Sequence, residues 1–239
     1  MKHTSDFSLQ SIKINHYIQP ITNLTTNHVI GYEFLLRSET IKNPELLFQT
    51  VSHPNQLLEL DMKSIFKAIE TINSHYTFFE NKLLFLNIFP ATLMENSFLQ
   101  GLLNILSKTT IKTSSIVLEI NESANGSNIS ALKEVICLYK KHGFIIALDD
   151  VGKGDSTVMA LLEIEPDIVK IDKYFSIDLA NSIKKQKLIS LLIQFIDQDA
   201  TIVLEGIETN EDLKMAKSIG VPIAQGYYLG KPLPLASYS

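Results

Sequence analysis

The residues of this chain that could do chemistry close apolar runs that read as core. Glu33 and Arg37 sit in the run over 29–36 or just past it, and Asn87 lies in the run over 83–89. Glu119 and then Glu122 end the run over 116–120, and Asp149 and Asp150 end the run over 144–148. Lys170 lies in the run over 167–171 with Asp172 just past it, Glu205 and Glu208 follow 201–204, and Gln225 lies near the start of the last run. A charge embedded in such a segment costs several kcal/mol unless it is paired or bound to metal.

Gathered in one place, Glu33, Glu119, Asp149, Asp150 and Glu205 could not all stay ionised without a counter-ion. An all-oxygen set of these carboxylates plus the Asn87 amide favours a hard cation such as Mg²⁺ or Mn²⁺. Adjacent acids such as Asp149 and Asp150 suit two ions, with one acid bridging them about 3.5–4 Å apart. Bland readings stand beside this one. Taken alone, Glu33 reads as a surface carboxylate, Asn87 as a satisfied amide and Asp149-Asp150 as a strand-to-loop turn. Lys170 is harder to dismiss, since a lysine inside a buried strand needs a partner. Glu205 and Glu208 could be acids favoured at a helix start.

To position these groups, the chain alternates short apolar runs with longer amphipathic stretches. The strands are expected over 16–24, 29–36, 83–89, 116–120, 144–148, 167–171, 201–204 and 223–229. Most are rich in Ile, Val, Leu and Phe with little alternation, as strands buried on both faces are. Helices are expected over 56–74, 92–107, 130–142, 176–198 and 210–219, the last capped by Thr209 and stopped by Gly220. This rhythm argues for a parallel sheet covered by helices. Eight strands suggest a TIM-like (β/α)8 barrel, with the polar strand ends at its C-terminal mouth. Only a few residues around Thr25–Asn27 separate the first two strands, too few for a parallel crossover. The first strand should therefore run antiparallel to the rest, with Gln19 opposite Glu33.

The bulk numbers agree. A chain of 239 residues with 45% hydrophobic content suits one large domain over 1–239, with 1–11 expected as a flexible N-terminal tail. Lys and Arg total 21 against 26 Asp and Glu, a net charge of −5, so long DNA or RNA is not an expected partner. No apolar run approaches membrane-spanning length, no signal core opens the chain, and the cytoplasm is the expected compartment. Cys137, the single cysteine, reads as a buried inert thiol in a helix. The six histidines show no metal-ligand spacing and read as surface or helix-end residues. Gly152 and Gly154 read as turn residues, and Tyr227-Tyr228 as core and rim.

The ordered set of strand-end segments resembles the EAL-domain family of cyclic di-GMP phosphodiesterases, from about Tyr17 to Pro234. The namesake motif stands as Glu33-Phe34-Leu35-Leu36-Arg37, and the opening hairpin as Tyr17-Ile18-Gln19-Pro20-Ile21. Further matches are Leu86-Asn87-Ile88, Leu118-Glu119-Ile120-Asn121-Glu122, Asp149-Asp150-Val151-Gly152-Lys153-Gly154, Asp167-Ile168-Val169-Lys170-Ile171-Asp172, Glu205-Gly206-Ile207-Glu208 and Gln225-Gly226-Tyr227-Tyr228. The resemblance implies a stand-alone EAL domain that hydrolyses cyclic di-GMP to linear pGpG with two Mg²⁺ or Mn²⁺ ions.

It also implies roles. Glu33, Asn87, Glu119, Asp149, Asp150 and Glu205 match metal ligands, with Asp149 as the bridge. Lys170 matches a lysine that positions or polarises the attacking water, together with Glu205. Gln225 matches a support of the metal–water network. Gln19 and Arg37 match substrate contacts, Arg37 at phosphate, with Asp172 and Pro232 near a guanine base. Glu122 matches an acid bracing the loop over 151–157, and Glu208 a further brace. In the family that loop couples the metals to a homodimer. The chain departs from the pattern at Phe34, where the family has alanine, at Asn121, where it has threonine, and at Val151, where it has phenylalanine. The last two are expected to affect loop anchoring more than ligation. The alternatives are a weak or inactive EAL domain serving as a cyclic di-GMP receptor or protein-interaction module, and a different metal-dependent barrel enzyme.

Overall fold

The structure, a computed structural model, describes residues 12–39, 41, 46–48, 53–121, 129–153, 157–196 and 199–238. The strands are β1 (Ile14–Asn23), β2 (Val29–Ser38), β3 (Leu83–Ile88), β4 (Ile116–Asn121), β5 (Ile145–Val151), β6 (Ile168–Ile171), β7 (Thr201–Leu204), β8 (Ile223–Ala224) and β9 (Leu233–Pro234). The helices are α1 (Pro54–Ser74), α2 (Tyr76–Phe79), α3 (Pro90–Leu93), α4 (Asn96–Leu106), α5 (Ile129–Lys141), α6 (Thr157–Ile164), α7 (Ile183–Ile196) and α8 (Asn210–Ser218).

The sheet runs β2-β3-β4-β5-β6-β7-β8-β1-β9, and β1 also pairs with β2, so β1 to β8 close into a barrel. Pairing is parallel from β2 through β8, while β1 is antiparallel to both neighbours. Gln19 lies opposite Glu33, as the short connection required. Asn27 takes a left-handed φ of 59° in that turn, a conformation asparagine tolerates.

Two apolar layers hold the barrel. Inside it, Ile21, Phe85, Val117, Ala147, Ile168, Val203 and Ile223 form a plug. Outside it, Phe34, Leu86, Leu118, Leu148, Val169 and Leu204 belong to the larger core between sheet and helices. α1 contributes Leu60, Ile65, Ala68, Ile69 and Ile72 from one face, at helical spacing. Gly31 makes room for the plug. A Cβ there would fall 2.5 Å from Leu83 O and 3.0 Å from the Phe85 ring. No helix among the described residues is long and apolar enough to cross a membrane.

Several boundaries differ from the sequence reading. α1 starts at Pro54 because His53 caps it by accepting from Asn55 N, and proline fits the first helical turn. The expected helix over 92–107 is two, broken where Glu95 turns extended at ψ 118°. The expected helix over 176–198 begins only at Ile183, after two 3-10 turns and a left-handed Asp178. α6 falls where no helix was expected, because its nearly continuous apolar sequence shows no polar face to read. The last run stops pairing in the barrel at Ala224. A Cβ on Gly226 would come within 2.2 Å of the Ile207 backbone, and Tyr228 N donates to Ile207 O, so the chain turns there. The thiol of Cys137 is exposed, not buried, because it lies off the face that α5 buries with Leu132, Ile136 and Tyr139. Residues 1–11, Gly154 and Glu122 lie outside the described residues.

Candidate metal centre

Strand alternation builds the site. On each inward strand face, the residue two beyond a plug residue is polar: Asn87 after Phe85, Glu119 after Val117, Asp149 after Ala147. The same step gives Lys170 after Ile168, Glu205 after Val203 and Gln225 after Ile223. Glu33 stands in the same relation to Gly31. The polar layer therefore rests directly on the apolar plug at the C-terminal ends of the parallel strands. Asn87 and Glu119 are register partners there, as are Asn121 and Asp149.

Lys170 occupies the centre. Its Nζ lies 2.6 Å from Glu119 Oε1, 2.8 Å from Glu205 Oε1, 3.2 Å from Asp149 Oδ1 and 3.6 Å from Glu33 Oε2. The lysine side chain is 0% exposed. Burial pulls its ammonium down, but Asp149, Glu119, Glu205 and Glu33 together hold it well above the usual lysine range. One ammonium does not neutralise four carboxylates. Burial pushes Glu119 well up against the pull of Lys170 and also raises Asp149, with neighbouring acids adding to both. Burial raises Glu205 to about 8. Glu33 goes the other way: burial raises it, but Lys170 and hydrogen bonds from Gln225 and Asn87 win and hold it below the usual range. Those bonds are Gln225 Nε2 to Glu33 Oε2 at 2.7 Å and Asn87 Nδ2 to Glu33 Oε1 at 3.0 Å.

Asp149 and Asp150 should face opposite sides of β5. They do not, because the β5–β6 register breaks between Leu148 and Val151, and Asp150 takes a left-handed φ of 56°. Oxygens of Asp149, Asp150 and Glu205 come within 4.8 Å of one another. Asn121 Nδ2 donates to Asp150 Oδ2 at 2.7 Å, and Lys153 Nζ reaches the same oxygen at 3.2 Å. Asn121, expected to affect loop anchoring more than ligation, thus places its amide on an acid of the cluster. The donor set fits a hard cation. It is all oxygen, it carries excess negative charge, and the buried Glu119 Oε2 has no hydrogen-bond partner.

The pocket opens into a cleft of about 650 Å³ lined by Glu33, Arg37, Asn87, Glu119, Asp149 and Asp150, among others. Arg37 carries its guanidinium 5.1 Å above the Tyr17 ring and donates Nη1 to Leu36 O at 2.8 Å. Gln19 donates to Gly230 O at 3.0 Å, tying β1 to the segment after β8. Asp172 is buried, and its Oδ1 accepts from Tyr174 N at 2.8 Å, capping a 3-10 turn. Pro232 is half-buried just ahead of β9. Glu208 is exposed, with no hydrogen-bond or ion-pair partner among the described residues. Tyr227 and Tyr228 are both exposed, on the rim rather than in the core.

The same cleft has polar lining that sequence reasoning missed. His16, expected at the surface, lies between β1 and α1. Its Nε2 is 3.0 Å from Ser64 Oγ and its ring meets Phe34 edge-on at 6.0 Å. Burial, with Arg37 and Lys67 adding, lowers its pKa to about 4. Asp61 accepts from Phe89 N at 2.9 Å, and burial pushes its carboxyl up to about 7. The readable signal was Asp61 and Ser64 on the face of α1 that also carries Ile65 and Ala68.

The fold and this layer define an acid-rich (β/α)8 barrel with a lysine-centred pocket at its mouth. The EAL domain family matches residues 7–232, and the chain belongs to that family. Among curated relatives, the cyclic di-GMP phosphodiesterase PdeF of Escherichia coli (strain K12) is 26% identical over 235 residues, covering 95% of this chain and 31% of PdeF. The cyclic di-GMP phosphodiesterase TpdA of Vibrio parahaemolyticus is 28% identical over 215 residues, covering 88% of this chain and 36% of TpdA. The chain thus spans about a third of the length of these relatives. A stand-alone EAL protein from Vibrio cholerae O395, solved with cyclic di-GMP bound, superposes with a TM-score of 0.86 at 24% identity, covering 95% of this chain and 94% of that one. BlrP1 of Klebsiella pneumoniae, solved with manganese and cyclic di-GMP, superposes at 0.85 with 23% identity, covering 94% and 57%.

Proposed function

We propose that the chain hydrolyses cyclic di-GMP to linear pGpG at this pocket and depends on Mg²⁺ or Mn²⁺ to do so. The observation that carries the reading is Lys170 ringed by four carboxylates at a barrel mouth. The names of the relatives support the substrate. Glu33, Asn87, Glu119, Asp149, Asp150 and Glu205 would hold the ions, two in number. Bound there, such ions lower the pKa of water and set positive charge against phosphate oxygens.

The chain's own residues supply position and charge. Gln225 and Asn87 fix both oxygens of Glu33, so its geometry does not depend on solvent. Lys170 holds its ammonium beside Glu205 and Asp149, where it can orient a water and offset charge building on phosphate. Glu205 is the most exposed of the four acids around Lys170, at 18%, and so borders the space where water enters. Arg37 offers a planar fork suited to a phosphate, steadied by the Tyr17 ring. We assign Gln19, Asp172 and Pro232 to the substrate, the last two near a guanine base, and Glu122 and Glu208 to loop bracing. A homodimer through the loop after β5 belongs to the same reading, supported by Met159 and Leu162 exposed on α6 just beyond it. The cytoplasm, where this second messenger acts, is the compartment implied.

Chromatography of cyclic di-GMP incubated with the protein, with and without Mg²⁺, tests the proposal. Metal-dependent appearance of pGpG is expected. Binding without product would favour the receptor alternative, and turnover of another phosphodiester alone would favour a different barrel enzyme.

A further inference from the structure

We propose that Asn121 is a positioning residue that sets how tightly Asp150 engages a cation; this rests on the metal reading of the pocket. Asp150 lies where β5 leaves its ladder, between the register pairs Leu148–Val169 and Val151–Ile171. Its φ of 56° turns the side chain inward, but no strand pairing then fixes where the carboxylate points. Side-chain donors must do that, and among the described residues two reach the same oxygen. Lys153 comes from the outer side at 3.2 Å on a side chain 64% exposed, and an exposed pair of that kind holds a long side chain weakly. Asn121 comes from the inner side at 2.7 Å. It is half-buried and short, and its backbone is locked into the β4–β5 ladder opposite Asp149. It is therefore the rigid donor.

An amide on Oδ2 limits how the carboxylate can turn, and the carboxylate brings an oxygen within 4.8 Å of oxygens of Asp149 and Glu205. A donor that orients a ligating carboxylate belongs to the class of outer contacts whose loss costs about 10–100-fold in metal affinity. The side chain of residue 121 therefore acts on ligation through the acid it holds.

Mn²⁺ binding to the full chain, followed by the free-ion paramagnetic resonance signal without any nucleotide, tests this apart from turnover. Asn121→Leu, of similar size but without a donor, is expected to weaken one ion about 10–100-fold and leave the other in place. Asn121→Thr, which keeps a donor, is expected to restore binding to within about threefold, and Lys153→Met to change it by less than that. Should Asn121→Leu fail to fold, Asn121→Ala carries the same expectation, since the position is only half-buried. Unchanged affinity for both ions in the folded donorless variant would overturn the inference and leave the metal reading intact. A parent chain that binds no Mn²⁺ would remove both, so the two failures are told apart.

Discussion

Gln225 donates its side-chain amide to Glu33 Oε2 at 2.7 Å, joining two residues 192 positions apart. Between their strands in the sheet lies β1, whose Gln19 faces Glu33 in register and donates in turn to Gly230 O. The antiparallel seam of the barrel is thus closed by side chains as well as by strand pairing, and Glu33 sits on that seam. Gln225→Leu should therefore destabilise the fold by about 1–3 kcal/mol, the cost of leaving a buried charged acceptor short of a donor. Urea unfolding measures it; a variant as stable as the parent would mean that Glu33 finds another partner.

Glu33→Ala is expected to lower turnover of cyclic di-GMP about a hundredfold or more, since it deletes an acid facing Lys170 and not merely an outer contact. The barrel should survive, because the plug and the outer core do not involve this carboxylate. Full activity with a native circular dichroism spectrum would refute its assigned role.

Lys170→Met removes the ammonium that, among the described residues, four acids share, two of them buried and two partly buried. The metal-free variant should lose about 3–5 kcal/mol of stability, as breaking a buried ion pair does. Mg²⁺ should then raise its melting temperature by more than it raises that of the parent, because the ions become the only counter-charge. An equal Mg²⁺ effect on both proteins would show that the lysine does not neutralise the acids.

His16 is held neutral, with a folded pKa of about 4 against 6.5 when unfolded. Between those values the unfolded chain binds the extra proton, so the contribution of His16 to stability is present above pH 6.5 and lost as pH falls toward 4. The loss approaches about 3 kcal/mol. His16→Leu should flatten this part of the stability profile relative to the parent. Parallel profiles from pH 7 to 4 would show that the ring is free to protonate in the fold.

Ca²⁺ should support hydrolysis poorly compared with Mg²⁺ or Mn²⁺, because it takes six to eight oxygens at longer distance in looser geometry. Initial rates at saturating concentrations of each ion decide this. Equal rates would mean that the pocket does not discriminate on coordination geometry.

Most of the polar layer was legible in sequence for a simple reason. A polar residue two positions beyond an apolar one, at the end of a short apolar run, shares its strand face, and the pattern recurs at Asn87, Glu119, Asp149, Lys170, Glu205 and Gln225. The hairpin register was legible too, since a connection around Thr25 and Thr26 leaves no room for a crossover. The burial of His16 was not. Ile12, Ile14 and Ile18 alternate on its own side of the strand and pointed inward, but a polar ring beside them reads as surface until α1 packs over that face and brings Ser64 to it.

Residue types and strand periodicity by themselves determined that acids, an amide and one lysine would meet above an apolar plug, because alternation along a strand is a local property. Tertiary structure alone decided the charge balance and the aim of each group. Lys170 is surrounded because four separate strands converge on it. Asp150 turns inward because β5 breaks register against β6, and Asn121 reaches it from β4. Such distances depend on how strands from distant parts of the chain close into a ring, which no local pattern encodes.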